Sequence, residues 1–93
     1  MAIPIEWDLH KAASNLVKHG ISLAEGATVL HDPLALYLPD PDHADREVAL
    51  GATWGAQLLV VVFSEQSQVI RLIRVRRATQ HERKKYEESK EGA

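Results

Sequence analysis

The chain opens on a period of two. In AIPIEWD, Ile3, Ile5 and Trp7 alternate with Pro4 and Glu6, the pattern of a strand, and Pro4 favours an edge because it has no N–H for a ladder. The period then lengthens. In LHKAASNLVKHG, Leu9, Ala12, Ala13, Leu16 and Val17 recur at i, i+3, i+4, i+7 and i+8, which predicts one amphipathic helix, capped by Asp8 and stopped by Gly20. A shorter helix follows in SLAEGATVLHDP, opened by the S-x-x-E capping box of Ser22 and Glu25 and closed by Asp32-Pro33. Three strand-like segments come next: LALYLPD, REVALGATWG and QLLVVVFSE. The unbroken apolar run from Leu58 to Phe63 belongs at the sheet centre, covered on both faces. After the EQSQ turn, QVIRLIRVRR reads as a further strand, and the T-x-x-E pair Thr79 and Glu82 opens a C-terminal helix. The expected order is β-α-α-β-β-β-β-α. That is an α+β fold with an antiparallel meander sheet, two N-terminal helices and one C-terminal helix, in a single domain over residues 1–93.

Composition narrows the class. With 45% hydrophobic and 26% charged residues in 93, the chain is an ordinary globular domain with room for one core. No apolar run approaches the roughly 18–20 residues of a membrane span, and MAIPIEWDLHK lacks the basic-then-apolar pattern of a leader. A soluble cytoplasmic protein is the expectation. The absence of cysteine removes disulfides, thiolate zinc sites and cysteine nucleophiles together. Neither a glycine-rich phosphate loop nor a G-x-S-x-G elbow is present, so no cofactor is expected.

Charge changes the picture most. The net charge is only -2, yet seven of eleven cations fall between Arg71 and Lys85 against one carboxylate, Glu82, a local charge of +6. Such asymmetry points to a surface built for a polyanion on an otherwise acidic body. Strict alternation along the last strand would send Ile70, Leu72, Arg74 and Arg76 one way and Arg71, Ile73, Val75 and Arg77 the other. Any single arginine is explained by a charged sheet edge or by pairing with Asp40, Asp42 or Asp45. The cluster beside RKK favours phosphate, which planar guanidinium groups meet bidentately. On the first helix, Lys11, Asn15 and Lys18 fall opposite the apolar stripe with His19 at its margin, either as a solvated face or as part of the same groove. DPDHAD gathers Asp40, Asp42, His43 and Asp45, but Pro41 and the missing calcium-loop glycine favour a solvated turn, and no metal is expected.

The segments EWDLHKAASNLVKHGISLAEGATVLHDPLAL, PDPDHADRE, LLVVVFSE and IRLIRVRRATQHERKKYE, taken in order, resemble the BrnT family of toxins from type II toxin-antitoxin modules. The positions that fit its pattern are Trp7, Asp8, Lys11, Asn15, Lys18, His19, Gly20, Asp32, Arg71, Arg76, Ala78, Glu82 and Tyr86. Arg74 and Val75 stand where the family often has Ser-Ala, so Arg74 counts here as a basic residue only. The resemblance implies a RelE-like fold, a ribonuclease that arrests translation, and a BrnA antitoxin. That antitoxin would bind two-to-two and touch operator DNA on the toxin's behalf. Cleavage would then proceed by attack of the RNA's own 2′-hydroxyl, which needs a base, an acid and cations. Arg71 and Arg76 suit charge stabilisation, and His19 suits proton transfer with Lys18 beside it as cationic partner or base. Glu82 is a second base candidate or simply a cap. Lys11, Asn15, Arg74 and Arg77 would hold RNA, and Tyr86 would stack a base, donate a hydrogen bond or pack in the core. A non-catalytic nucleic-acid binder and a protein-docking module are the alternatives.

Overall fold

Short-range hydrogen bonds set the first helices where the spacing predicts them. In the computed structural model, which describes residues 3–91, strand β1 (Ile5–Trp7) ends at Asp8. The Oδ1 of Asp8 accepts from the backbone N–H of His10 at 2.8 Å and of Lys11 at 3.1 Å. These are two of the four amides that a helix start leaves unpaired, and α1 then runs over Leu9–His19. Gly20 ends it at φ 70°, where its N–H turns back to the Leu16 carbonyl at 2.8 Å. Helix α2 (Leu23–Ala27) starts on the Ser22 hydroxyl, which accepts from Glu25 N–H at 3.0 Å, and passes into a 3-10 turn at Thr28–His31.

The remaining elements are β2 (Leu36–Pro39), β3 (Glu47–Ala52), β4 (Leu58–Gln66), β5 (Val69–Arg77) and α3 (Gln80–Glu91). The element order is the expected one. Strands β2 to β5 form the antiparallel meander, but β1 adds beside β5 in parallel, with Ile5 opposite Ile70 and Trp7 opposite Leu72. The five-stranded sheet, ordered β1-β5-β4-β3-β2, is therefore mixed. As the apolar run predicts, β4 is central and buried from Leu58 to Phe63. One sheet face packs Ala49, Leu59, Val61, Phe63, Leu72 and Val75 against Ile21, Leu23 and Val29 of the N-terminal helical segment. The other packs Leu50, Leu58 and Val60 against Tyr86 of α3.

A bulge in β5 corrects the strict alternation read from the sequence. Val62 pairs with Arg74 and Phe63 with Leu72, which leaves Ile73 without a partner. One extra residue inverts the parity of everything after it. Leu72 and Val75 now share the core face under α2, and Arg71, Arg74 and Arg76 share the opposite face. Close packing follows: a Cβ on Gly26 would clash with the Val75 side chain, so α2 approaches the sheet this closely because that position is glycine.

Helix α1 is rolled away from the orientation its apolar stripe implies. Asn15, expected on the polar face, is 5% exposed, whereas Leu9 is 80%, Leu16 52% and Val17 90% exposed. The cause is a backbone requirement. Strand β1 covers β5 only as far as Leu72, and α1 lies along the edge beyond it. There Asn15 Oδ1 accepts from Val75 N–H at 3.0 Å and its Nδ2 donates to the Ile21 carbonyl at 3.0 Å. An unpaired buried amide costs about 1–3 kcal/mol, so the side chain that closes the edge dictates which face of the helix turns inward.

This account predicts opposite outcomes for two substitutions. Asn15→Leu, which extends the apolar pattern, should destabilise the fold by about 2–4 kcal/mol by orphaning both backbone groups. Val17→Ser, which interrupts that pattern, should change stability by less than about 0.5 kcal/mol. Urea midpoints measure both, and a harmless Asn15→Leu would refute the edge-closing role.

Candidate active site

The bulge and the rolled helix together assemble a basic surface. Along β5, Arg71, Arg74 and Arg76 follow one another on one face, facing Ser64, Val62 and Val60 in the ladder. Arg71 and Arg76 are thus roughly 15 Å apart along the strand, too far to grip one phosphate. Arg71 is 47% exposed and bonded to Glu6 Oε1 at 2.9 Å, beside a 300 Å³ groove that Ser64, Gln66 and Ser67 also line. A solvated pair of this kind is worth little and exchanges easily for another anion.

Across the β5 edge lies a second concavity of 220 Å³, lined by Lys11, Ser14, Asn15, Lys18, His19, Ile73 and Arg74. Lys11, Lys18 and His19, proposed from the sequence as one set, do come together here, and Arg74 joins them. Ser14 was not singled out, although it stands i+3 from Lys11 and i-4 to Lys18 and so falls on their flank. Arg77 contributes indirectly: its Nη1 donates to the His19 carbonyl at 2.8 Å, a cation at the negative end of α1 that fixes the helix terminus.

Two residues offered as RNA contacts are committed to the fold instead. Asn15 spends its amide on the β5 edge. Tyr86 is 6% exposed, and its hydroxyl donates to Asp32 Oδ2 at 2.7 Å, so its ring has no open face for a base. Asp32 also accepts from Ala52 N–H at 2.9 Å and Leu34 N–H at 2.9 Å. Burial pushes the Tyr86 hydroxyl up to about 12, and the carboxylate beside it adds to the shift.

Glu82 and Arg76 meet each other rather than an open site. Arg76 Nη1 and Nη2 donate to the two Glu82 oxygens at 2.8 and 2.9 Å. Glu82 Oε1 also accepts from Thr79 N–H at 2.8 Å, and Thr79 Oγ1 accepts from Glu82 N–H at 3.2 Å, which completes the capping box. The Arg76 guanidinium, more than any other group, holds the Glu82 carboxyl down to about 2. In DPDHAD, Asp40 Oδ1 accepts from Asp42 N–H at 2.8 Å, an Asx turn. Among the described residues, no three His, Asp or Glu side chains gather as a metal site.

Residues 7–82 match the family model described as the ribonuclease toxin BrnT of type II toxin-antitoxin systems. The chain belongs to that family. The BrnT fold is seen directly in the 1.1 Å crystal structure of the Brucella abortus ribonuclease toxin BrnT. That structure is 29% identical and superposes with a TM-score of 0.70 over 85% of this chain and 100% of that one. No curated protein sequence matches this chain. In this BrnT-family chain the matched region begins at Trp7, the last residue of β1, and ends at Glu82, so it contains the helical edge, the bulged strand and the Arg76 partner. No helix among the described residues is long and apolar enough to cross a membrane.

The Arg76 to Glu82 pair makes a pH prediction. Its folded-state pKa of about 2 lies below the ordinary 4.5, so the stabilisation is complete above about pH 4.5 and fades as pH falls toward 2. After discounting for solvent at a partly exposed pair, the contribution is about 1–2 kcal/mol. Thermal midpoints of Glu82→Gln should lie below those of the parent at neutral pH and converge with them in acid. A gap that persists unchanged at pH 2 would show that the pair does not act through charge.

Proposed function

We propose that this BrnT-family chain is an endoribonuclease that cleaves RNA without a metal, arrests translation and growth in the cytoplasm, and is neutralised by a BrnA-like antitoxin. The antitoxin assembles two-to-two with the toxin and alone contacts operator DNA. One observation carries the reading: Arg74 of β5 lines a concavity open to solvent together with Lys11, Lys18 and His19 of α1, and Arg71 and Arg76 lie on the same sheet face to either side of it. A phosphodiester laid across the β5 edge meets guanidinium groups on one side and an ammonium and imidazole set on the other.

In this proposal the RNA's 2′-hydroxyl attacks the adjacent phosphorus, the bond to the 5′-oxygen breaks, and a 2′,3′-cyclic phosphate is left. His19 and Lys18 carry the two proton transfers, since they are the titratable groups that line the concavity with Lys11. Arg74 and Lys11 hold the flanking phosphates, and Arg71 releases Glu6 to take a further one. Arg76 adds positive charge to the transition state with its guanidinium oriented by Glu82. Glu82 itself, held down to about 2, is a poor proton acceptor near neutrality and takes no part in proton transfer. Asn15, Arg77 and Tyr86 act on the site by shaping the helices around it.

The test is cleavage of labelled RNA by purified protein in EDTA, with the ends mapped. Cyclic phosphate termini are expected, and His19→Ala should slow cleavage by about 10²–10⁴-fold while leaving RNA affinity nearly unchanged. Arg71→Ala should weaken affinity without loss of stability, whereas Arg76→Ala should lose both activity and stability because it frees Glu82. Binding should fall linearly as log salt rises, as counterion release requires. Salt-sensitive binding with no products in any buffer would identify a non-catalytic nucleic-acid binder instead.

A further inference from the structure

Helix α3 carries its charges in an order that works against its own stability. Arg83, Lys84 and Lys85 stand in its first half, and Glu87, Glu88 and Glu91 in its second. The helix macrodipole favours the reverse, carboxylates at the start and cations at the end. The i,i+4 couples Arg83 with Glu87 and Lys84 with Glu88 also put the cation first, the weaker of the two orders. The two exceptions have other partners: Glu82 is committed to Arg76 and to the cap, and the charge of Lys90 acts on Asp32. Among the described residues, no carboxylate stands within salt-bridge reach of Lys84 or Lys85. A helix surface that served only stability and solubility would place these charges the other way round.

The placement of the cations gives this order a use. Because Glu82 bonds Arg76 through both oxygens, the flank of α3 that carries Glu82 borders the arginine row of β5. Lys85 stands one turn further on that flank, i+3 from Glu82, with His81 one turn before it. His81, Lys84, Lys85 and Glu88 line a concavity of 210 Å³. The arginines of β5 thus stand between two cationic concavities, one shared with α1 and one on the α3 flank beside Arg76. We propose that Lys84 and Lys85, with His81, hold a second stretch of the RNA backbone, at phosphates outside the linkage that is cut. This rests on the ribonuclease reading above for its ligand and adds a second hold on the same strand. A single strand carries a charge at every nucleotide, and it follows whichever flank continues the positive row. Lysine ammonium groups meet a phosphate as point charges without demanding one orientation, which suits a contact that positions the strand and reads no sequence. No apolar residue lines the α3 concavity, whereas a protein partner needs an apolar anchor there.

The test exchanges the charges without changing their number. The variant Lys84→Glu/Lys85→Glu/Glu87→Lys/Glu88→Lys keeps the composition and net charge of the full chain and puts the charges in the order the helix favours. Its melting midpoint should equal or exceed that of the parent. Its Kd for a mixed-sequence 2′-O-methyl single strand, which cannot be cut by its own 2′-oxygen, should rise by about tenfold or more. The slope of log affinity against log salt should shrink by about one to two. With cleavable RNA, KM should rise while kcat stays within about twofold, since these residues hold the strand away from the bond that breaks. Lys84→Gln/Lys85→Gln, which leaves every carboxylate in place, decides by the same readings if the exchange variant folds poorly. Lys90→Gln, on the flank toward Asp32, should bind RNA like the parent. Parental RNA affinity in the glutamine pair overturns the proposal, as does a loss no larger than that of Lys90→Gln. A variant that binds RNA normally but loses affinity for the antitoxin assigns the patch to the protein partner and overturns it too. The nuclease reading fails separately, by absence of RNA products from the unmodified chain even where Lys84 and Lys85 are needed for binding.

Discussion

Beyond Leu72, one side of β5 has no neighbouring strand, and the Asn15 side chain takes its place. That pair of hydrogen bonds, from Val75 N–H to Asn15 Oδ1 and from Asn15 Nδ2 to the Ile21 carbonyl, is what the rest of the architecture depends on. A bare edge in the interior would leave backbone groups dry and unpaired. Closing it with a helix means that the helix must turn a polar residue inward. Once Asn15 is fixed there, Lys11 and Lys18 fall along the β5 edge, His19 falls near Arg77, and the leucines face out. The candidate site and the exposed strip are two results of one backbone requirement.

Most of the fold could be read from the chain because most of its boundaries are set by neighbours in sequence. Asp8, Ser22 and Thr79 cap within three residues of themselves, Gly20 stops a helix where it stands, and the run from Leu58 to Phe63 is apolar enough to be central in any sheet. What escaped was non-local or aperiodic. The apolar count on α1 named a face by hydrophobicity, while the actual partner was an amide 60 positions away. The bulge at Ile73 leaves no mark in composition, yet it decides which arginines stand together. The parallel pairing of β1 could not be read from the spacing of β1 alone. At the site, Lys11, Lys18 and His19 were legible as a set because helical spacing brought them together. Tyr86 was not, since an aromatic at i+4 from a glutamate looks the same whether it packs or stacks.

Two carboxylates hold the last helix in place by different means. Asp32 sits at the end of the 3-10 turn and accepts from Leu34, Ala52 and Tyr86, which joins the turn, β3 and α3 in one half-buried node. Glu82 joins α3 to β5 through Arg76 and caps its own helix in the same geometry. Removing either partner of such a node costs more than the bond itself, because the other group is left charged and incompletely paired. Both carboxylates and Tyr86 therefore read as framework.

The pairing of β1 with β5 joins residues about 65 positions apart, Ile5 with Ile70, whereas β4 and β5 meet across the two-residue Ser67-Gln68 turn. Loop closure over the longer span carries the larger entropic cost. During synthesis the hairpin can form as soon as it emerges, but the basic strand reaches the amino-terminal helix only when nearly the whole chain is available. A chain still being translated, or one truncated before Arg77, has not yet joined the arginines of β5 to Lys11, Lys18 and His19. The topology thus makes this basic surface one of the last features of the molecule to assemble.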